Sequence, residues 1–310
     1  MASSDRPQDA SEPSGDGLGY ARAAGPVQAA SAVQTSAQGL DARRVMLPAG
    51  DRDIPAYVAR PAAAERPPVM LVLSEAFGLH EHIADIARRF AHAGFLAVAP
   101  DLMVRQGNPA AFAGVPALVA DLLLRIPDAQ VMGDLDACVA WTADQGGDID
   151  RLSAAGFCWG GRWTWLFAAH RPFCAAVAWY GVLDGSAHSL FPRGDPNFPA
   201  HPSELTRDMR TPTLGLYGGA DEAIPVATVE AMRRRLATGS PAARASEIVV
   251  YEGAPHAFFA DYRASYGRGS KPGYTWSRVD VAGSGDGTLM FSGAVRDGPM
   301  CWRSSEAARR

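Results

Sequence analysis

One short stretch constrains this chain more than any other: Ala154-Ala155-Gly156-Phe157-Cys158-Trp159-Gly160-Gly161-Arg162. A small-residue and apolar run from Leu152 to Phe157 breaks at a glycine-flanked cysteine, and a segment with helical character, Arg162 to His170, follows. A strand that turns abruptly into a helix brings two backbones together so closely that a Cβ at either flanking glycine would crowd them. The residue at the tip is then held in a strained conformation. A helix starting at the next residue also points free N–H groups and a positive dipole end at the tip, which favours a thiolate there. The pattern predicts a strand, a sharp elbow and a helix, with Cys158 presented as a nucleophile. Gly-x-Cys-x-Gly is short, and the chain holds 32 glycines, so its weight comes from what surrounds it.

What surrounds it is a series of apolar runs separated by helical segments. Val45 to Pro48 and Ile54 to Arg60 flank the turn-like Ala49-Gly50-Asp51-Arg52 and predict two short antiparallel strands. Val69 to Leu73 is a continuous apolar run, the mark of a strand buried on both faces of a parallel sheet. It leads into Ser74-Glu75-Ala76-Phe77-Gly78-Leu79-His80-Glu81-His82 and a helix over Ile83 to Ala93. Phe95 to Ala99 is a second buried strand, running into Pro100-Asp101-Leu102. A loop and helix region continues to Asp128, and Met132 to Asp144 reads as a helix. Beyond the elbow come strands over Cys174 to Gly181, Pro212 to Gly219 and Ile248 to Tyr251, with a helix over Val226 to Ala237. Val182 to Arg210, rich in Pro and Gly, predicts a cap loop over a site. The alternation predicts an α/β fold, a mainly parallel, doubly wound sheet flanked by helices. Residues 1–39 form a peripheral or disordered extension, 40–266 the folded domain, and 267–310 a Gly/Ser/Arg-rich tail without an amphipathic helix.

Composition narrows the function classes. A 310-residue chain that is 47% apolar can bury a sizeable core, and a formal net charge of −4 without clustered cations argues against nucleic acid and anionic membranes as partners. Cys138, Cys158, Cys174 and Cys301 occur singly, without the spacing of a zinc site, and fit free thiols in a reducing compartment. No apolar run reaches the length of a membrane span, and the N-terminus lacks a secretory pattern, so a cytoplasmic monomer or homodimer is expected.

Cys158, Asp221 and His256 each stand just after an apolar strand-like run. In an open parallel sheet, sites form beyond the carboxyl ends of the strands, so the three can converge. Each residue also has a plainer reading: a buried small hydrophobe for Cys158, a turn or helix cap for Asp221, a surface loop residue for His256. Their chain order of nucleophile, acid and histidine, together with the Gly156-x-Cys158-x-Gly160 elbow, is that of the α/β-hydrolase fold. The roles follow: Cys158 attacks a carbonyl carbon, His256 exchanges the proton, and Asp221 fixes the imidazole and steadies its charge.

The chain resembles the dienelactone hydrolase family, a branch of the α/β-hydrolases. The resemblance rests on Ser74-Glu75-Ala76-Phe77-Gly78-Leu79, Pro100-Asp101-Leu102 with Arg105-Gln106, Gly156-Phe157-Cys158-Trp159-Gly160-Gly161, Gly218-Gly219-Ala220-Asp221 and Pro255-His256-Ala257-Phe258. It spans about Leu47 to Tyr266 and implies hydrolysis of a small enol-lactone or ester, without cofactor or metal, through a Cys-His-Asp triad. It further implies that Glu75 lies by the nucleophile, holds the resting thiol and takes part in its activation. The N–H groups of Trp159 and Ala76 would form the oxyanion hole. Arg105 would grip a substrate carboxylate, with Arg263 a nearby second candidate, and Phe77 and Tyr180 would line the pocket. The family pattern continues into a terminal amphipathic helix, which this tail lacks. The rival expectations are a broad carboxylesterase or thioesterase, and a catalytically silent protein using Cys158 as a redox thiol or its surface for interactions.

Overall fold

The apolar runs read from the sequence become the strands of one eight-stranded sheet. The computed structural model describes residues 33–185, 191–263, 280–284, 288–295 and 298–302. Most of the expected N-terminal extension, part of the cap loop and the start of the tail lie outside these residues. Strands β1 (Leu40–Ala49) and β2 (Arg52–Pro61) form an antiparallel hairpin closed by Gly50 and Asp51. Gly50 supplies the positive φ, 75°, that such a tight turn asks of its first residue.

The remaining strands are β3 (Pro68–Leu73), β4 (Leu96–Pro100), β5 (Asp148–Phe157), β6 (Ala175–Trp179), β7 (Thr213–Gly218) and β8 (Glu247–Tyr251). Their order across the sheet is β1-β2-β4-β3-β5-β6-β7-β8, parallel from β4 onward. Every residue of β4, β6 and β7 is buried, which is why these strands read as unbroken apolar runs and not as alternation. The helices are α1 (Glu81–His92), α2 (Val115–Asp121), α3 (Asp128–Asp144), α4 (Trp159–His170), α5 (Val226–Ala237) and the short α6 (Pro241–Arg244). They flank the sheet as a doubly wound arrangement requires. Among the described residues, no helix is long and apolar enough to cross a membrane.

Helix α4 is the centre of the core. Trp159, Trp163, Trp165 and Phe167 are all fully buried, so the helix is apolar on all sides and is enclosed, not laid on a surface. Arg162 is buried among them at 0% exposure. It donates to Asp128 Oδ1 and Oδ2 at 2.7 and 3.1 Å and to the Ala200 carbonyl at 3.1 Å. Its guanidinium also lies over the rings of Trp163, Phe191 and Phe198, 4.6, 4.4 and 5.4 Å from their centroids. This cluster ties the elbow helix to the start of α3 and to the cap segment.

The described part of the tail is a second, three-stranded antiparallel sheet. It consists of β9 (Asp280–Ser284), β10 (Thr288–Val295) and β11 (Gly298–Trp302), in the order β11-β10-β9. This meander was not anticipated from the sequence.

Candidate active site

The elbow sits where β5 passes into α4. Cys158 occupies the tip with φ at 53°, a left-handed conformation that a non-glycine residue rarely adopts. Its N–H donates to the Trp179 carbonyl at 2.9 Å, which fixes the tip against β6. The glycines are there because nothing larger fits. A Cβ on Gly156 would come within 2.3 Å of the Gly160 carbonyl oxygen, and one on Gly160 within 2.4 Å of the Leu73 carbonyl oxygen. Both obstacles are backbone, which cannot swing aside. Gly160→Ala should therefore lower stability by about 3 kcal/mol, at the upper end of overpacking costs. Gly133, inside α3 with nothing within 4 Å of a built Cβ, is the matched control. Gly133→Ala should raise stability by about 0.5–1 kcal/mol through chain entropy. Urea midpoints of the two variants check both signs.

Three strand ends deliver three side chains to one row. Asp221 follows β7, and its carboxylate has two tasks. Oδ1 accepts from the N–H groups of Ala223 and Ile224 at 2.8 and 2.9 Å, capping the turn. Oδ2 lies 2.8 Å from His256 Nδ1. The capping and functional readings of Asp221 are thus both true, one on each oxygen. A carboxylate only accepts, so Nδ1 carries a proton and Nε2 faces Cys158 Sγ at 3.2 Å. Cys158, Asp221 and His256 are 6%, 6% and 7% exposed, so the row is shielded from bulk water. Burial pulls the His256 imidazole down, but the negative charges of Asp221 and Cys158 outweigh it and push it up to about 10. The ring therefore holds a proton through the neutral range.

Glu75 stands at the end of β3, the strand beside β5, and is 2% exposed. Its Oε1 accepts from His80 Nε2 at 3.1 Å and from the Tyr262 hydroxyl. Burial pushes this carboxyl up, but the His80 hydrogen bond and the charges of His80, His82 and Arg263 outweigh it. The carboxyl falls from 4.5 to about 2. Because the folded value lies below the ordinary one, unfolding takes up a proton between them. Its stabilisation is complete above pH 4.5 and is lost as pH falls towards about 2. The loss from this group is at most about 3 kcal/mol, and Glu75→Gln should flatten the urea midpoint across that window.

The remaining expected residues are placed less uniformly. Trp159 opens α4, so its N–H is one of those a helix leaves without an acceptor of its own, and Ala76 lies in the turn after β3 closed by Gly78 N–H on the Glu75 carbonyl at 3.1 Å. Tyr180 is fully buried, edge-on to His256 with centroids 5.1 Å apart, and its hydroxyl has no hydrogen-bond partner among the described residues. Phe77 is half-buried and packs against the core. Arg105 is not brought to the row. It donates to Asp51 at 2.6 Å, Asp134 at 2.7 Å and the Ala49 carbonyl at 3.0 Å, in a cleft between the β1–β2 turn and α3. The cation whose charge reaches Glu75 and Tyr180 is Arg263. His80 and Tyr262 were assigned no role from sequence; the signal available was only their spacing, His80 five residues after Glu75 and Tyr262 six after His256. Among the described residues, no group of three or more His, Cys, Asp or Glu could hold a metal ion.

Comparison with known proteins settles the family. Residues 54–279 match the model of the dienelactone hydrolase family. The chain belongs to the dienelactone hydrolase family. A relative from Escherichia coli O157:H7, named "Putative carboxymethylenebutenolidase", is 48% identical over 250 residues, covering 80% of this chain and 88% of the relative. One of the same name from Salmonella typhimurium is 47% identical over 264 residues, covering 84% and 93%. A solved structure from Klebsiella pneumoniae, titled as a putative dienelactone hydrolase, superposes with a TM-score of 0.68 at 48% identity, covering 73% of this chain and 91% of that one. The eight-stranded sheet of this dienelactone hydrolase family member is accordingly that of the α/β-hydrolase fold.

Proposed function

We propose that this carboxylic ester hydrolase cleaves a small enol-lactone or ester through a thiol acyl-enzyme on Cys158. The observation that carries the reading is the row itself, with His256 Nε2 3.2 Å from Cys158 Sγ and Nδ1 2.8 Å from Asp221 Oδ2. The sulfur attacks the carbonyl carbon, and the oxyanion is received by the Trp159 and Ala76 N–H groups. His256, kept protonated by its anionic neighbours, delivers its Nε2 proton to the departing enolate or alkoxide oxygen as the C–O bond breaks. In a lactone that oxygen stays tethered to the acyl group. The imidazole then takes a proton from water, hydroxide adds to the thioester, and the thiolate leaves. Asp221 holds the ring in one orientation throughout.

Arg263, whose charge acts on Glu75 and Tyr180, supplies the positive charge that would attract a substrate carboxylate, while Arg105 is engaged by Asp51 and Asp134. Because Arg105 is engaged elsewhere, an uncharged ester is the second reading. Turnover of a cis-dienelactone against p-nitrophenyl acetate separates the two. A higher kcat/KM for the lactone supports the first, an equal or higher value for the ester supports the second, and turnover of neither by folded protein overturns both.

A further inference from the structure

The loop that carries His256 is held in a conformation its own residues do not favour. Ala257, the next residue, has φ at 58°. An alanine enters that left-handed region only against a bias of about tenfold. Two turns follow, closed by the Ala260 N–H on the Ala257 carbonyl at 2.9 Å and by the Arg263 N–H on the Ala260 carbonyl at 3.0 Å. Phe259, inside the first turn, packs on Phe157 and Trp179 with centroids 5.1 and 4.5 Å apart. A polar hold comes from α1. Asp261 Oδ2 accepts from Arg89 at 2.7 Å, and Oδ1 lies 3.2 Å from His82 Nδ1.

Both anchors on α1 are themselves fixed. Arg89 lies 2.5 Å from Asp85, which is fully buried. His82 is buried too, and its ring is backed by Tyr262 and Phe259, with centroids 4.8 and 6.2 Å away. Burial pushes the Asp261 carboxyl up, but His82 and Arg89 outweigh it and hold it below its ordinary value, so the tether is charged through the neutral range. Position matters most where charge no longer helps. In the resting row the His256 ring is gripped by the charges of Asp221 and Cys158. Once its proton has gone to the leaving group and the sulfur is in a thioester, ring and sulfur are both neutral. The hydrogen bond to Asp221 and the loop then have to keep Nε2 in place for the water that attacks.

We infer that Asp261 is a positioning residue for deacylation: tethered to Arg89 and His82 of α1, it keeps Ala257 left-handed and so holds the neutral His256 imidazole where it takes a proton from the attacking water. Its role rests on the thiol acyl-enzyme proposed above, not on the identity of the substrate. Asp261 touches no reacting atom, and the step itself is ordinary. Water gives a proton to Nε2, its oxygen bonds to the acyl carbon, and the C–S bond breaks with its electron pair on sulfur.

The test is to load the full chain with a short pulse of p-nitrophenyl acetate and follow loss of the acetyl group by intact mass. Asp261→Ala should slow that loss about tenfold, the bias of an alanine against the left-handed region, and change the loading rate by less than about twofold. Asp261→Asn, which keeps one acceptor oxygen, should lose about threefold and serves if Asp261→Ala does not fold. Ala257→Gly supplies the readout that a merely structural role would not move. Glycine takes a positive φ at no steric cost, so in that background Asp261→Ala should slow deacylation by about twofold or less. A second readout needs no turnover. The His256 ring titration, followed by NMR, should fall from about 10 by roughly one pH unit in Asp261→Ala and recover in the double variant. Unchanged deacylation in Asp261→Ala, equal slowing of loading and deacylation, or the same loss in the Ala257→Gly background would each overturn the inference. An acetyl group that never appears on wild type would sink the acyl-enzyme reading and the deacylation step with it. The titration then judges the tether alone, which stands if the midpoint falls and recovers and is overturned if it does not move.

Discussion

Cys158→Ala should lower hydrolysis on the order of 10⁴-fold or more, the loss expected when the nucleophile of a covalent mechanism is removed. The fold should survive, because the change deletes one sulfur at a site that is already 6% exposed and leaves the backbone bond from Cys158 N–H to the Trp179 carbonyl in place. Residual rate above water would come from binding and the oxyanion donors, which the substitution does not touch. Asp221→Asn is the informative companion. It removes the charge that holds His256 protonated, and it leaves an amide whose N–H₂ group would oppose Nδ1–H if it faced the ring. Its loss should fall mainly on kcat. Measuring kcat and KM separately for both variants checks the assignment of roles.

The second large effect is on stability. Asp128→Ala should destabilise the chain by about 3–5 kcal/mol, the cost of leaving one member of a buried ion pair uncompensated. Arg162 would remain at 0% exposure with its charge facing Trp163, Phe191 and Phe198. Burial already draws this guanidinium below its ordinary value despite Asp128. Removing both charges, as Asp128→Leu with Arg162→Met, should recover most of the loss, because a well-packed apolar pair carries no desolvation cost. The single variant should also lower turnover beyond its effect on the folded fraction, since Arg162 lies one helical turn after Cys158 in α4. Urea unfolding and turnover, compared at a temperature where both variants are folded, separate the two consequences.

The central sheet was legible in the sequence because its strands are buried on both faces. Val69 to Leu73 and Phe95 to Ala99 have no alternation to decode, and each ends at a turn signal. The boundary differences have local causes. Phe95 is excluded from β4 because its N–H closes the end of α1 on the Phe90 carbonyl at 3.1 Å. Helix α3 begins at Asp128, four residues before the apolar spacing that predicts it, because Asp128 is anchored by Arg162 from across the core. Only the fold supplies that partner.

The site divides the same way. The elbow was readable because Gly156 answers to a backbone contact within the motif, the Gly160 carbonyl, although Gly160 itself answers to the Leu73 carbonyl of β3. The order of Cys158, Asp221 and His256 was readable because each follows a strand-like run. Arg105 was not, because its partners Asp51 and Asp134 come from the hairpin turn and from α3, and a motif match carries no information about competing ion pairs. The clamp on Glu75 was half visible. His80 lies within the same turn, but Tyr262 reaches Glu75 from 187 residues away.

The most direct test of the account is to mix the protein briefly with p-nitrophenyl acetate, quench in acid and weigh the intact chain and its peptides. The account predicts one acyl group per chain, confined to the peptide carrying Cys158, accumulating with the first turnover and absent in Cys158→Ala. Release of p-nitrophenol at an undiminished rate by Cys158→Ala, or an acyl group found on another side chain, would contradict it.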